Sequence, residues 1–409
     1  MPVPADGSGT DESARARRSP VGAEREERAV DALETLVDRV CAEGRVPGAV
    51  ALIATGDGRR HVAVGGSRAV GGAATTRDTL FRIASITKPI VAAATMVLVE
   101  RGRFGLDDAV EAWLPELTAP RVLRSPTGPL DDVVPADRPI TVRDLLTFRA
   151  GHGFVGDFSA PVVRVLLDRL HQGPPQPQVV PRPDEWMARL AEVPLVHQPG
   201  RGWTYNTGSD VLGVLLARAE SAPLADVLRD AVLDPLGMRD TGFVVPAEDL
   251  RRFTGYYRRD ESGDLELVDA PDGQWASAPA FPSGAGGLVS TVDDWCTFGR
   301  MLLDGGRHAG REVLSAESVR QMTTPQAYAE PGNIFLDGQA WGFGGSVDVD
   351  PTRPWNVPGR YGWVGGTGTA GYVLPSAGVV AVWLSQVELG GPAEFGPIGE
   401  FLTLAAAAA

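Results

Sequence analysis

The stretch FRIASITKPI, residues 81–90, decides how this chain is read. Ser85 and Lys88 stand at i and i+3, so on a helix they share one face. Pro89 follows at once. Proline has no N–H and is tolerated in a helix only within the first turn. It therefore pins a helix start close to Ser85. A serine there offers its Oγ and its own amide at the positive end of the helix dipole. An attacking oxygen and an oxyanion are both stabilised at such a place. A lysine on the same turn, once partly buried, holds its proton less tightly and can act as a base. The spacing alone is common, and an N-capping serine beside a surface lysine satisfies it equally well.

Composition sets the outer limits. The chain has 409 residues, 43% of them hydrophobic, enough for a large core and two or three domain-sized units. Fifty glycines and 33 prolines predict many turns. A net charge of −14 disfavours nucleic acid and anionic membranes as partners. Residues 1–23 have the composition of a disordered leader and lack the apolar stretch of a secretory signal or anchor. No apolar run reaches the ~18 residues needed to span a bilayer. Cys41 and Cys296 have no metal or redox spacing, and the five histidines are scattered. A cytoplasmic protein without metal or cofactor is expected.

Outward from residues 81–90, a helical apolar pattern covers 24–43 (Leu33, Leu36, Val37, Val40). Residues 47–66 read as a hairpin around a Gly-Asp-Gly turn. Residues 90–102 are apolar on nearly every face and predict a buried helix. Between 109 and 275 short helical segments alternate with proline-rich loops; 210–231 reads as two helices and 234–243 as a loop. Ser290 or Thr291 should cap a helix with Asp293 and Asp294 in its first turn. Strand-like runs at 370–375 and 378–386 precede a helix near 393–408. This order predicts an α+β fold. Residues 24–108 and 276–409 form a discontinuous α/β domain, and 109–275 form an inserted, mostly helical one.

The segment LFRIASITKPIVAAATMVLVERGRFGLDDAV, residues 80–110, resembles the nucleophile segment of the serine β-lactamase and penicillin-binding superfamily. Further likenesses follow in order at 139–151, 199–218, 233–243, 284–295 and 361–375. The chain is most similar to the class C-like branch and its carboxylesterases and related acyltransferases. The resemblance implies an antiparallel sheet flanked by helices, a β-lactamase/transpeptidase-like fold. It implies Ser85 as nucleophile, Lys88 as its base and Tyr205, in WTYNTG, as the second proton-handling group. A tyrosine phenolate beside a lysine ammonium is favoured, so the two are expected to act as one coupled unit.

Two departures from the lactamase pattern narrow the chemistry. Class C enzymes carry asparagine two places after the tyrosine; here Asn206 comes one place early, so it is expected to face the site without a catalytic role. The third motif has Trp363, Val364 and Gly365 where lactamases carry a Lys-Thr-Gly type of sequence. Trp-x-Gly resembles the carboxylesterases. Trp363 offers apolar surface and one N–H but no cation for a substrate carboxylate. The resemblance makes the Gly366 amide the second oxyanion donor beside that of Ser85. It places Gly365 and His152 near the substrate. His197 and Trp203 read as structural, and no serine lies in a Gly-x-Ser-x-Gly elbow.

The expected function is therefore a serine hydrolase forming an acyl-enzyme on Ser85, a carboxylesterase of small uncharged esters, thioesters or amides. An acyltransferase of the same fold, a weak β-lactamase or D-amino-acid peptidase, and a catalytically inactive binding module stay open. Oligomeric state is not read from the sequence.

Overall fold

The computed structural model describes residues 20–392 and 394–408. Most of the expected leader, residues 1–19, lies outside them, and residues 20–23 belong to the first helix. Helix α1 (Pro20–Ala42) leads into the hairpin β1 (Gly48–Ala54) and β2 (Arg60–Gly66), then α2 (Lys88–Glu100). Later come α3 (Thr207–Glu220) and α4 (Val292–Leu303), the latter capped by the Thr291 side chain. Strands β3 (Gln339–Trp341), β4 (Ser346–Asp348), β5 (Tyr361–Gly365), β6 (Thr369–Leu374) and β7 (Val379–Ser385) precede α5 (Pro397–Ala407).

The seven strands form one sheet in the order β3-β4-β5-β6-β7-β1-β2, every neighbour antiparallel. Both faces are covered, so the central strands carry no alternation of polar and apolar residues. In β1, Ala49, Ala51 and Ile53 meet Leu33, Val37, Ile398 and Phe401 from α1 and α5. Val50 and Leu52 belong instead to the core shared with α4 and α2. Helix α4 approaches closely because Gly299 and Gly371 present no Cβ; one at 371 would enter the Trp295 ring. No helix among the described residues is long and apolar enough to cross a membrane.

Residues 109–275 hold the helices Val142–Leu146, Pro161–Leu170, Pro183–Ala191 and α3. The expected loop at 234–243 begins with one helical turn, Asp234–Leu236. From Tyr256 to Asp269 a short hairpin returns to the sheet, where Tyr257 exchanges backbone bonds with Gln386 (2.9 Å) and Glu388 (2.8 Å).

The turn before α2 is clamped from several sides. Phe81 and Arg82 pair with Ser290 and Val289. Thr367 and Thr369 hydroxyls donate to the Arg82 and Ile83 carbonyls at 2.6 and 2.8 Å. The Trp295 indole donates to the Ile86 carbonyl at 3.2 Å. Arg82 itself is 2% exposed and lies between the Phe253 ring (4.1 Å) and the Trp275 ring (4.8 Å). Its guanidinium pairs with Asp269 and donates to the Thr254 carbonyl at 2.6 Å.

Removing the acid from this pair would leave a buried, unmatched cation. Asp269→Ala should lower unfolding free energy by about 3–5 kcal/mol, the range for breaking one side of a buried pair. Urea denaturation followed by circular dichroism measures this, and an unchanged midpoint would contradict the clamp.

Candidate active site

Of residues 81–90, Ser85 alone is not buried. It lies in a 3-10 turn, Ala84–Thr87, that runs directly into α2, with Pro89 in the first helical turn as the sequence predicts. Ala84, just before it, has φ of 44°, a left-handed conformation costly for a residue with a Cβ.

Lys88 is fully buried. Its Nζ lies 2.8 Å from Ser85 Oγ and donates to the Ala285 carbonyl at 2.7 Å. Burial strips stability from the ammonium and pulls the amine down to about 7, while the charge of Asp210 acts in the opposite direction. A substantial neutral fraction is therefore present at neutral pH.

The Tyr205 hydroxyl lies 3.1 Å from Ser85 Oγ and accepts from the Trp363 indole N–H at 2.6 Å. The ring stacks on Phe335 at 4.6 Å and meets Phe148 edge-on. Its pKa runs opposite to the expected phenolate. Burial pushes it up to about 12, against the opposing hydrogen bonds from Ser85 and Trp363. The Lys88 Nζ lies over the ring face, 4.8 Å from its centroid, rather than against the hydroxyl oxygen. Tyr205 is thus placed to give a proton at neutral pH, and Lys88 to take one.

Asn206 follows with φ 84° and ψ −63°, and the Thr207 N–H bonds the Tyr205 carbonyl across it at 3.2 Å. This is a γ-turn of the strained kind. Strained residues therefore adjoin both Ser85 and Tyr205.

Ser85 opens on a cavity of about 320 Å³ that also exposes Tyr205, Asn206, Trp363 and Gly366. Its walls are largely apolar, with Phe154, Phe158, Trp186, Phe281 and Phe335. Asp210 and Glu388 are its acidic members, and no lysine or arginine is among the lining residues. A Cβ at Gly366 would meet nothing within 4 Å, so that residue borders open space. Among the described residues no cluster of three or more His, Cys, Asp or Glu could hold a metal ion.

Two expected contacts are not found in the cavity. Gly365 does not line it; a Cβ there would collide with Thr369 Oγ1 and come within 2.5 Å of the Ile83 carbonyl. This glycine brings β5 against the turn that carries Ser85. His152 is 5% exposed, bonds the Val193 carbonyl at 3.0 Å through Nε2, and is absent from the lining. Burial pulls its imidazole down to about 4, so it is neutral. Asp210, Ala285 and Phe335 gave no sequence signal, because they reach the site only through contacts distant in the chain.

His152→Leu should leave kcat/KM for a neutral ester within about threefold. It should cost about 1–3 kcal/mol of stability, because the Val193 carbonyl loses its partner. A large rise in KM with stability intact would return His152 to the substrate.

Comparison with known proteins places this geometry in context. A family model described as Beta-lactamase matches residues 28–403. Protein Rv1367c of Mycobacterium tuberculosis is 40% identical over 371 residues, covering 87% of this chain and 90% of its own. Esterase EstB of Burkholderia gladioli is 36% identical over 283 residues, covering 64% of this chain and 67% of its own. Among solved structures, EstCE1, described as a hydrolase with promiscuous acyltransferase activity, aligns with a TM-score of 0.76 at 25% identity, covering 95% of this chain and 100% of that one. With a family match spanning nearly all its length and a fold to agree, the chain belongs to the beta-lactamase family.

Proposed function

We propose that this chain is a serine hydrolase that carries an acyl group on Ser85 and cleaves small uncharged carboxylic esters. One observation carries the reading. Ser85 Oγ lies 2.8 Å from a buried lysine amine and 3.1 Å from a tyrosine hydroxyl, at the edge of a largely apolar cavity lined by no lysine or arginine. The names of two similar proteins, an esterase and a hydrolase with acyltransferase activity, support it.

In this reading neutral Lys88 takes the Ser85 proton as Oγ attacks the ester carbonyl. The Ser85 and Gly366 amides hold the resulting oxyanion, each worth about 3 kcal/mol. Tyr205 gives its proton to the departing alkoxide, which leaves as the alcohol, while Lys88 keeps the serine proton and Tyr205 is left as the phenolate. The Trp363 N–H stabilises the phenolate formed in passing. Water then attacks the acyl-enzyme, giving a proton to the Tyr205 phenolate, and Lys88 returns its proton to Ser85 Oγ as the acid leaves. A second reading, transfer of the acyl group to an alcohol or amine, is favoured by the apolar walls, which hold an acyl chain and bind water poorly. A lactam-cleaving role would need a cation for the substrate carboxylate; the lining holds no lysine or arginine, His152 lies outside it, and His171 is its one histidine.

Ser85→Ala should abolish the acyl-enzyme seen by mass spectrometry with p-nitrophenyl butyrate, and Tyr205→Phe should slow turnover by roughly 10²–10⁴-fold. Turnover persisting in Ser85→Ala would end the proposal. The pH profile has a definite sign. Lys88 accepts a proton only when neutral, so kcat/KM should fall as pH drops through about 7 and level off above it. A profile flat through that region would remove Lys88 from the proton path. Nitrocefin should be a poorer substrate than the butyrate ester by some 10–200-fold, the worth of one charged hydrogen bond. Equal kcat/KM for the two would show that His171 or a group outside the lining supplies the charge that lysine and arginine do not.

A further inference from the structure

Asp210 takes no part in the steps above, yet it is 6% exposed, borders the cavity and is a charged neighbour of Lys88. It lies in the first turn of α3, five residues after Tyr205. One carboxylate oxygen accepts from the Ser283 hydroxyl at 2.6 Å and the Ala285 N–H at 3.0 Å. The other accepts from the Gln172 side-chain amide at 3.3 Å. Gln172 is fixed in turn by the Thr207 hydroxyl at 2.6 Å. The 283–285 turn can rest on α3 because Gly284 has no side chain; a Cβ there would run into the Ser209 carbonyl.

Ala285 therefore faces two ways. Its N–H is held by Asp210, and its carbonyl holds the Lys88 amine. The carboxylate reaches Lys88 through one residue of backbone rather than by direct contact. A direct ion pair would drive Lys88 towards permanent protonation. A neutral carbonyl alone would offset only part of the amine's desolvation. The arrangement supplies geometry from the carbonyl and a moderated charge from behind it.

We infer that Asp210 is a positioning residue for Lys88: it fixes the Ala285 carbonyl that aims the amine at Ser85, and it sets a carboxylate behind that carbonyl. This rests on the reading of Lys88 as the base. The titratable groups facing Lys88 are Asp210 from α3 and Tyr205, whose ring lies beneath the Nζ; Ser85 and the Ala285 carbonyl complete its surroundings. Tyr205 stays a neutral phenol throughout the relevant range, which leaves Asp210 as the charge that moves the amine. Burial raises the Asp210 carboxyl, but its three donors favour the ionised form.

The test is the acid limb of kcat/KM for p-nitrophenyl butyrate, measured on the full chain. Asp210→Asn keeps the shape and removes the charge. Its limb should shift to lower pH by about one unit, so the variant retains a larger share of its plateau rate under acidic conditions. The plateau itself should fall, because the amide supports the Ala285 turn less well. Ser283→Ala loosens the carboxylate from a partly exposed loop and should shift the limb the same way by less. The double variant should move no further than Asp210→Asn alone. If Asp210→Asn does not fold, the Ser283→Ala limb decides. A limb that stays in place in either folded variant, while only the plateau falls, would make Asp210 a structural residue and overturn the inference. Ser85 acyl-enzyme in the unmodified protein is measured in parallel. Its absence would strike the proposed reaction itself, not the role of Asp210.

Discussion

A lysine amine with no access to water is the constraint around which this molecule is arranged. An ammonium ion buried in protein loses most of its hydration, so the site either neutralises it or surrounds it with oxygen. Lys88 receives two oxygen neighbours, a serine hydroxyl and a backbone carbonyl, and no carboxylate in contact. Holding those two in place recruits distant parts of the chain. Helix α4 sends Trp295 to the turn, the sheet sends Thr369, and the 283–285 turn rests on α3. The same burial that suppresses the charge on Lys88 keeps the proton on Tyr205. Desolvation acts on an acid and a base with opposite sign, and here it prepares both for their tasks.

Local order was legible in the sequence where a local rule governed it. Pro89 fixed the helix start, the Gly-Asp-Gly turn fixed the hairpin of β1 and β2, and Thr291 capped α4 with two carboxylates in its first turn. Family likeness brought Tyr205 to Ser85 across 120 residues, a contact that no local pattern announces. What stayed hidden were pairings with no local signature. The Trp363 N–H was read as apolar surface with a spare donor, yet it is spent on the Tyr205 oxygen. The sign of the Tyr205 shift was missed because a lysine nearby suggested phenolate, whereas the depth of burial dominates. Gly365 was read as room for substrate and proves to be room for the Ile83 carbonyl. His152 points to Val193, which only the fold brings near.

The cavity explains how one proton apparatus can serve different substrates within a family. In the proposed reaction serine, lysine and tyrosine act on the carbonyl and ignore what lies beyond it. Selection falls to the walls, and here they are aromatic rings, prolines and two carboxylates. Anionic groups are disfavoured twice, by the lack of any lysine or arginine and by Asp210 and Glu388. Aromatic packing would also restrain the proposed chemistry: Phe335 lies against the ring whose hydroxyl faces Ser85 Oγ. A substrate group that displaces Phe335 would therefore disturb Tyr205 as well, so shape and rate are linked through one pair of rings.

The left-handed Ala84 and the γ-turn at Asn206 have a consequence for any effort to harden this protein against heat. Each stores unfavourable backbone energy, so a stability-guided redesign would choose these two positions early and offer glycine at both. Each also sets the direction in which the next or preceding side chain leaves the backbone, and those side chains are Ser85 and Tyr205. Relaxation there would trade durability for aim. Gains in thermal tolerance are better sought on the far face of the sheet, where α1 and α5 pack beyond reach of the reaction.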